Sequence, residues 1–149
     1  MRFDEELLAG VHCPEPEDMA TAAAKLAPLL PENLTLQLVG KMGAGKTFFA
    51  SSLSKALGVT VPVTSPSYDL VATYHSPSCN LVHVDAFRLE TEEEMDKLGI
   101  EDLLVTPWLL LVEWPENAPE LHFGEIWRIL IKSPRGGGRD LCLKDGVLP

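Results

Sequence analysis

Residues 40–47 read Gly-Lys-Met-Gly-Ala-Gly-Lys-Thr, the spacing G-x-x-x-x-G-K-[ST] by which a loop wraps phosphate. Gly40, Gly43 and Gly45 leave room for successive backbone N–H groups to curl around an anion. A lysine and a hydroxyl close the run. Lys46 is placed to bridge the β- and γ-phosphates of a nucleoside triphosphate, and the Thr47 hydroxyl to ligate Mg²⁺. Gly43, Ala44, Gly45, Lys46, Thr47 and Phe48 are therefore the expected contacts to ATP or ADP.

Phosphate chemistry of this type also needs an acid at the end of a neighbouring strand, to hold Mg²⁺ directly or through water. Asp85 follows Leu81-Val82-His83-Val84, and Glu113 follows Leu109-Leu110-Leu111-Val112. Both have the form of an apolar run ended by a carboxylate, and with Lys46 they make the expected catalytic set. Thr47, Asp85 and Glu113 are the expected metal ligands. Ser65 and Ser67 lie in Thr64-Ser65-Pro66-Ser67, a segment placed to sense the γ-phosphate. Arg88 can pair with Asp85 or with phosphate, and Trp114 packs near the nucleotide or at a partner surface. Pro115 biases Trp114 toward an extended backbone. His83, inside an apolar strand, reads as a packed, hydrogen-bonded histidine rather than a catalytic one.

The elements that must carry these groups follow from periodicity. Leu34, Leu36, Leu38 and Val39 form the strand that feeds the loop. Phe49, Ala50, Leu53, Ala56 and Leu57 give the next helix a one-sided apolar stripe, with Gly58 as its C-terminal cap. Phe48 lies off that stripe, free to cover the nucleotide or a partner. Residues 18–30 suggest a helix interrupted or ended near Pro28. Tyr68–Tyr74 and Asn80–Val84 read as a hairpin, and 125–132 with 139–143 as another. Thr91 and Glu94 form a capping box for a short helix ending at Leu98-Gly99. Strands interleaved with helices predict an α/β fold, a three-layer P-loop NTPase-like architecture with a mixed sheet that includes antiparallel hairpins. One domain over residues 1–149 is the expected organisation.

Composition removes several classes. The formal net charge is −10, from 22 acidic and 12 basic residues. Such a surface disfavours tight direct binding to nucleic acid, which needs a basic footprint. Screening confines its field to about 8 Å at physiological salt, so a local nest and Lys46 can still capture a phosphate. The longest apolar run, Trp108–Val112, is too short to span a membrane. Three widely spaced cysteines suit reduced thiols in a cytoplasm.

Taken together, the phosphate loop, Thr64-Ser65-Pro66-Ser67-Tyr68, His83-Val84-Asp85-Ala86-Phe87-Arg88-Leu89, Leu98-Gly99 and Val112-Glu113-Trp114-Pro115-Glu116 resemble the TsaE family. These are small bacterial ATPases of tRNA threonylcarbamoyladenosine synthesis, and the resemblance runs from about residue 18 to residue 132. It implies slow ATP hydrolysis that resets a complex with TsaB-like and TsaD-like subunits between turnovers. Lys46, Thr47, Asp85 and Glu113 match family positions for phosphate and metal, and Trp114 a position tied to activity. The chain departs from the family pattern at Lys41 (usually Asp), Phe48 (usually Thr), Ser67 (usually Thr) and Phe87 (usually Tyr). Two other readings use the same residues: a nucleotide-gated adaptor with little hydrolysis, and a small-molecule kinase. The scarcity of clustered arginines weighs against the kinase.

Overall fold

In a computed structural model, which describes residues 2–66 and 70–145, seven strands form one mixed sheet. The strands are β1 (Val11–Cys13), β2 (Leu34–Val39), β3 (Val71–His75), β4 (Asn80–Asp85), β5 (Trp108–Glu113), β6 (Glu125–Lys132) and β7 (Arg139–Asp145). Their spatial order is β1-β7-β6-β2-β5-β4-β3. The four central strands run parallel, while β3 pairs antiparallel with β4, and β7 antiparallel with both β6 and β1. Both predicted hairpins are present. Ser67 and the start of the first predicted hairpin at Tyr68 lie outside the described residues.

Strand periodicity decides which groups meet the helices. Leu109 and Leu111 of β5 join Leu81, Leu34, Leu36 and Leu38 on one face, under Met19 and Leu26 of α2 (Pro16–Leu26) and Phe49 and Leu53 of α3 (Lys46–Ala56). Leu110 and Val112 turn to the other face with Val82 and Val84. There they meet Met95 of α4 (Glu92–Asp96) and Ile100 of α5 (Ile100–Leu103). All six residues of β5 are buried, as expected for a parallel strand covered on both sides. Phe49 and Leu53 are fully buried, each contributing about 1.5–3 kcal/mol of apolar burial.

Local chemistry sets the helix ends. Pro16 opens α2 behind a capping box in which the Glu15 N–H donates to Asp18 Oδ2 at 2.9 Å. The helix stops at Leu26 and tightens into a single 3₁₀ turn containing Pro28. α3 ends in a Schellman arrangement: the Gly58 N–H donates to Lys55 O and the Val59 N–H to Ser54 O. The Thr91 hydroxyl accepts from the Glu94 N–H and starts α4. That helix ends at Asp96, not at Leu98-Gly99 as the sequence suggests. Gly99, with φ +60°, is a break between α4 and α5. Helix α1 (Phe3–Ala9), β1 and α5 were not predicted, because each is only three to seven residues long and too short to show a period.

Candidate functional site

β2 delivers residues 40–47 to the C-terminal edge of the sheet, and α3 begins at Lys46. Gly40 is required by close approach, since a Cβ there would sit 2.7 Å from the Ile131 carbonyl of β6. Gly45 holds φ +106°, a left-handed backbone that a side chain would strain. The N–H groups of Lys46, Thr47 and Phe48 open the helix, so they have no intrahelical carbonyl to bond. They and the helix dipole form a ready anion site.

Period-two placement brings the acids to this loop. Asp85 and Glu113 are register partners on adjacent parallel strands, on the same face as α3. The Thr47 hydroxyl donates to Glu113 Oε1 at 2.8 Å, and Glu113 Oε2 lies 2.6 Å from His83 Nε2. A carboxylate only accepts, so Nε2 carries the proton. His83 is fully buried, and its Nδ1 has no hydrogen-bond partner among the described residues. It is packed and hydrogen-bonded, as expected from sequence, but its partner is the candidate metal ligand itself. Asp85 accepts from the Ser65 hydroxyl and from the Phe87 N–H at 3.0 Å. Arg88 lines a small hollow with Ser65, Pro66, Leu70, Asp85 and Phe87.

Trp114 corrects the expectation of an extended backbone: it sits at φ 58°, ψ 53°. Left-handed torsions in a bulky residue cost about 1–3 kcal/mol and persist only where tertiary contacts hold them. Here the indole packs against Phe87 in a tilted pair with ring centroids 5.0 Å apart, and the Lys46 ammonium lies 3.5 Å from an indole ring centroid. Asn117, in the turn just beyond, donates to the Ala86 carbonyl at 3.1 Å and ties this corner to the end of β4. Lys46 also donates to the Gly40 carbonyl and, at 3.3 Å, to that of Lys41. Burial pulls the Lys46 ammonium below its ordinary range, against the opposing pull of Glu113, Glu116 and Asp85.

Gly43, Gly45, Lys46, Thr47, Phe48, Asp85, Phe87, Glu113 and Trp114 thus converge on one open cavity of about 340 Å³. Ala44, within the loop, is buried and does not line this cavity. The donor set of one hydroxyl and two carboxylates is all oxygen, which fits a hard cation such as Mg²⁺. Phe48 and Phe87, at 43% and 45% exposure, form with Met42 an apolar rim. Sequence reasoning passed over Arg139. From the start of β7 its Nε donates to the Ala44 carbonyl at 2.9 Å and its Nη2 to the Gly43 carbonyl at 3.2 Å. A single basic residue behind a glycine run carries no signal of that contact.

Fold and loop together define a P-loop NTPase-like α/β protein. The family model of the threonylcarbamoyl adenosine biosynthesis protein TsaE matches residues 13–140. The chain is 39% identical over 103 residues to the tRNA threonylcarbamoyladenosine biosynthesis protein TsaE of Rickettsia bellii, covering 68% of this chain and 70% of that one. Its counterpart in Bacillus subtilis is 31% identical over 126 residues, with coverage of 85% and 78%. For the Rickettsia conorii protein of the same name, identity is 37% and the chain spans 57% of its length. The crystal structure of Bacillus subtilis YdiB superposes with a TM-score of 0.72 at 26% identity, covering 92% of this chain and 85% of that one. This chain belongs to the TsaE family, whose role is in tRNA threonylcarbamoyladenosine biosynthesis.

Proposed function

We propose that the protein is a Mg²⁺-dependent ATPase that binds TsaB-like and TsaD-like subunits, hydrolysis resetting that complex between rounds of tRNA modification. The observation that carries the reading is the convergence of Thr47, Glu113 and Asp85 beside the loop's free N–H groups. Thr47, Glu113 and Asp85 would hold Mg²⁺, which when bound offsets phosphate charge as γ-phosphate leaves. Loop N–H groups and Lys46 would orient the polyphosphate for attack by water.

Slow turnover by the isolated chain is consistent with where Lys46 lies. Its ammonium donates to the Gly40 carbonyl and lies against the Trp114 ring, so a phosphate that takes the ammonium displaces the indole. A partner closing over Met42, Phe48 and Phe87 would favour that rearrangement and exclude water. Among the described residues no helix is long and apolar enough to cross a membrane, and Cys13, Cys79 and Cys142 are free thiols. Both facts accord with a cytoplasmic setting.

The test is steady-state phosphate release with Mg²⁺, for the chain alone and with TsaB-like and TsaD-like proteins of the same source. Turnover should rise with the partners and fall about tenfold or more in Lys46→Ala and in Glu113→Gln, about 1.4 kcal/mol of barrier. Unchanged hydrolysis in both variants would refute these roles. Nucleotide binding without turnover, in any combination, would favour the nucleotide-gated adaptor.

A further inference from the structure

Arg139 contacts a loop 95 residues earlier in the chain, and what it holds there is a pair of peptide orientations. A trans peptide is planar, so its C=O and the following N–H point in opposite directions. The Ala44 carbonyl is turned outward onto Arg139 Nε at 2.9 Å, which aims the Gly45 N–H inward, to the concave side of the loop. Likewise Gly43 O, 3.2 Å from Nη2, sends the Ala44 N–H the other way, to the Lys41 carbonyl at 3.0 Å.

Both units border glycines with positive φ, Gly43 at +81° and Gly45 at +106°. Turning over the Ala44–Gly45 unit changes only ψ of Ala44 and φ of Gly45, at little steric cost, so the loop's own sequence does not settle which way the Gly45 N–H faces. The guanidinium does. Its third donor, Nη1, binds the Gly138 carbonyl at 2.7 Å, and Arg139 is paired in register with Cys13 of β1. Next to it Asp140 is paired with both His12 and Lys132, so the fork is fixed by strands on either side.

We infer that Arg139 is a positioning residue for the diphosphate moiety of the ligand: it locks the loop peptides so that the Gly45 N–H faces the phosphates. This rests on the nucleotide reading of the loop. The planar fork matters as well as the charge, because the two carbonyls are met from separate nitrogens, Nε and Nη2, held in one rigid plane, whereas an ammonium's three donors radiate from a single atom on a flexible stem.

The experiment is calorimetric titration of the wild-type chain, Arg139→Gln and Arg139→Lys with Mg·ADP and with inorganic pyrophosphate. Thermal unfolding is followed in parallel, along with the Gly45 amide resonance. Arg139→Gln should weaken both ligands by the same factor, about tenfold, or about 1.4 kcal/mol. Arg139→Lys should recover only a minor part of that loss, and the Gly45 amide shift on adding pyrophosphate should shrink in both variants. If Arg139→Gln does not fold, Arg139→Lys carries the test alone. Unchanged pyrophosphate affinity in the variants that fold overturns the inference, and if ADP alone weakens, Arg139 instead touches the nucleoside. Full recovery by lysine overturns it in favour of charge alone. A wild-type chain that binds neither ligand overturns the nucleotide reading of the loop, a result distinct from any of these.

Discussion

On one side of the phosphate loop stand β4 and β5, whose ends carry Asp85 and Glu113. On the other stands the β6–β7 hairpin, from which Arg139 reaches back to the loop carbonyls. The first flank supplies anionic oxygens that would face a cation. The second supplies a cation that faces the outside of the loop. In the first, a strand's own two-residue alternation aims the functional group, and burial of the neighbouring leucines fixes the alternation. In the second, the group is aimed by pairing between segments far apart in sequence. One flank is built from local pattern and the other from topology.

The largest effect should come from removing the buried anchor of the carboxylate flank. His83→Leu leaves Glu113 Oε2 without its 2.6 Å partner. A buried acceptor left unpaired costs about 1–3 kcal/mol, which denaturant unfolding would read, and turnover should drop with it. His83→Gln, which restores an N–H donor, should recover part of both. Equal loss in the two variants would mean that His83 only fills space. Asp85→Asn should then cut turnover about tenfold, about 1.4 kcal/mol. Its unfolding midpoint should hardly move, because the Phe87 N–H can still donate to the amide oxygen while the Ser65 hydroxyl turns to accept from the amide nitrogen.

Lys46→Met tests the loop between the flanks. The native lysine's range is depressed by burial, so over the window from that lowered value up to the ordinary 10.5 the unfolded chain binds more protons. Stability attributable to this group therefore rises with pH across the window, and below it the charged lysine is a net cost. The methionine variant should bind no nucleotide yet melt at or above the wild-type temperature at pH 7, with the gap closing toward pH 10.5. A variant that melts well below wild type at neutral pH would show that the bonds to the Gly40 and Lys41 carbonyls outweigh desolvation.

His12→Ala, on the hairpin flank, should do least. Its 2.6 Å pair with Asp140 is about half-exposed on both sides, and such pairs contribute about 0–1 kcal/mol. A larger loss would mean that the β1–β7 pairing helps to hold Arg139 in place.

The asymmetry between the flanks also explains what could be read from sequence. The loop, the strand before it, the stripe of α3 and the apolar runs ending in Asp85 and Glu113 were all legible, because each repeats with a local period or matches a fixed spacing. The contact of Glu113 with both Thr47 and His83 was not. It depends on the parallel register that sets Asp85 opposite Glu113, and register is a property of two segments. Trp114 was misread for a related reason. The preference before proline is local and modest, and the tilted ring contact with Phe87, with Lys46 nearby, overrode it. α1, β1 and α5 left too few residues to show any period.

By itself the sequence determined the phosphate loop, the α/β class, the strand ends that carry the acids, and membership of the TsaE family, because each rests on short-range spacing and alternation. Only the tertiary structure decided that His83 holds Glu113, that Trp114 turns left-handed over Lys46, and that Arg139 fixes the loop's carbonyls. Those three depend on strand order and register. Both are set by the summed burial of many side chains, which no single segment encodes.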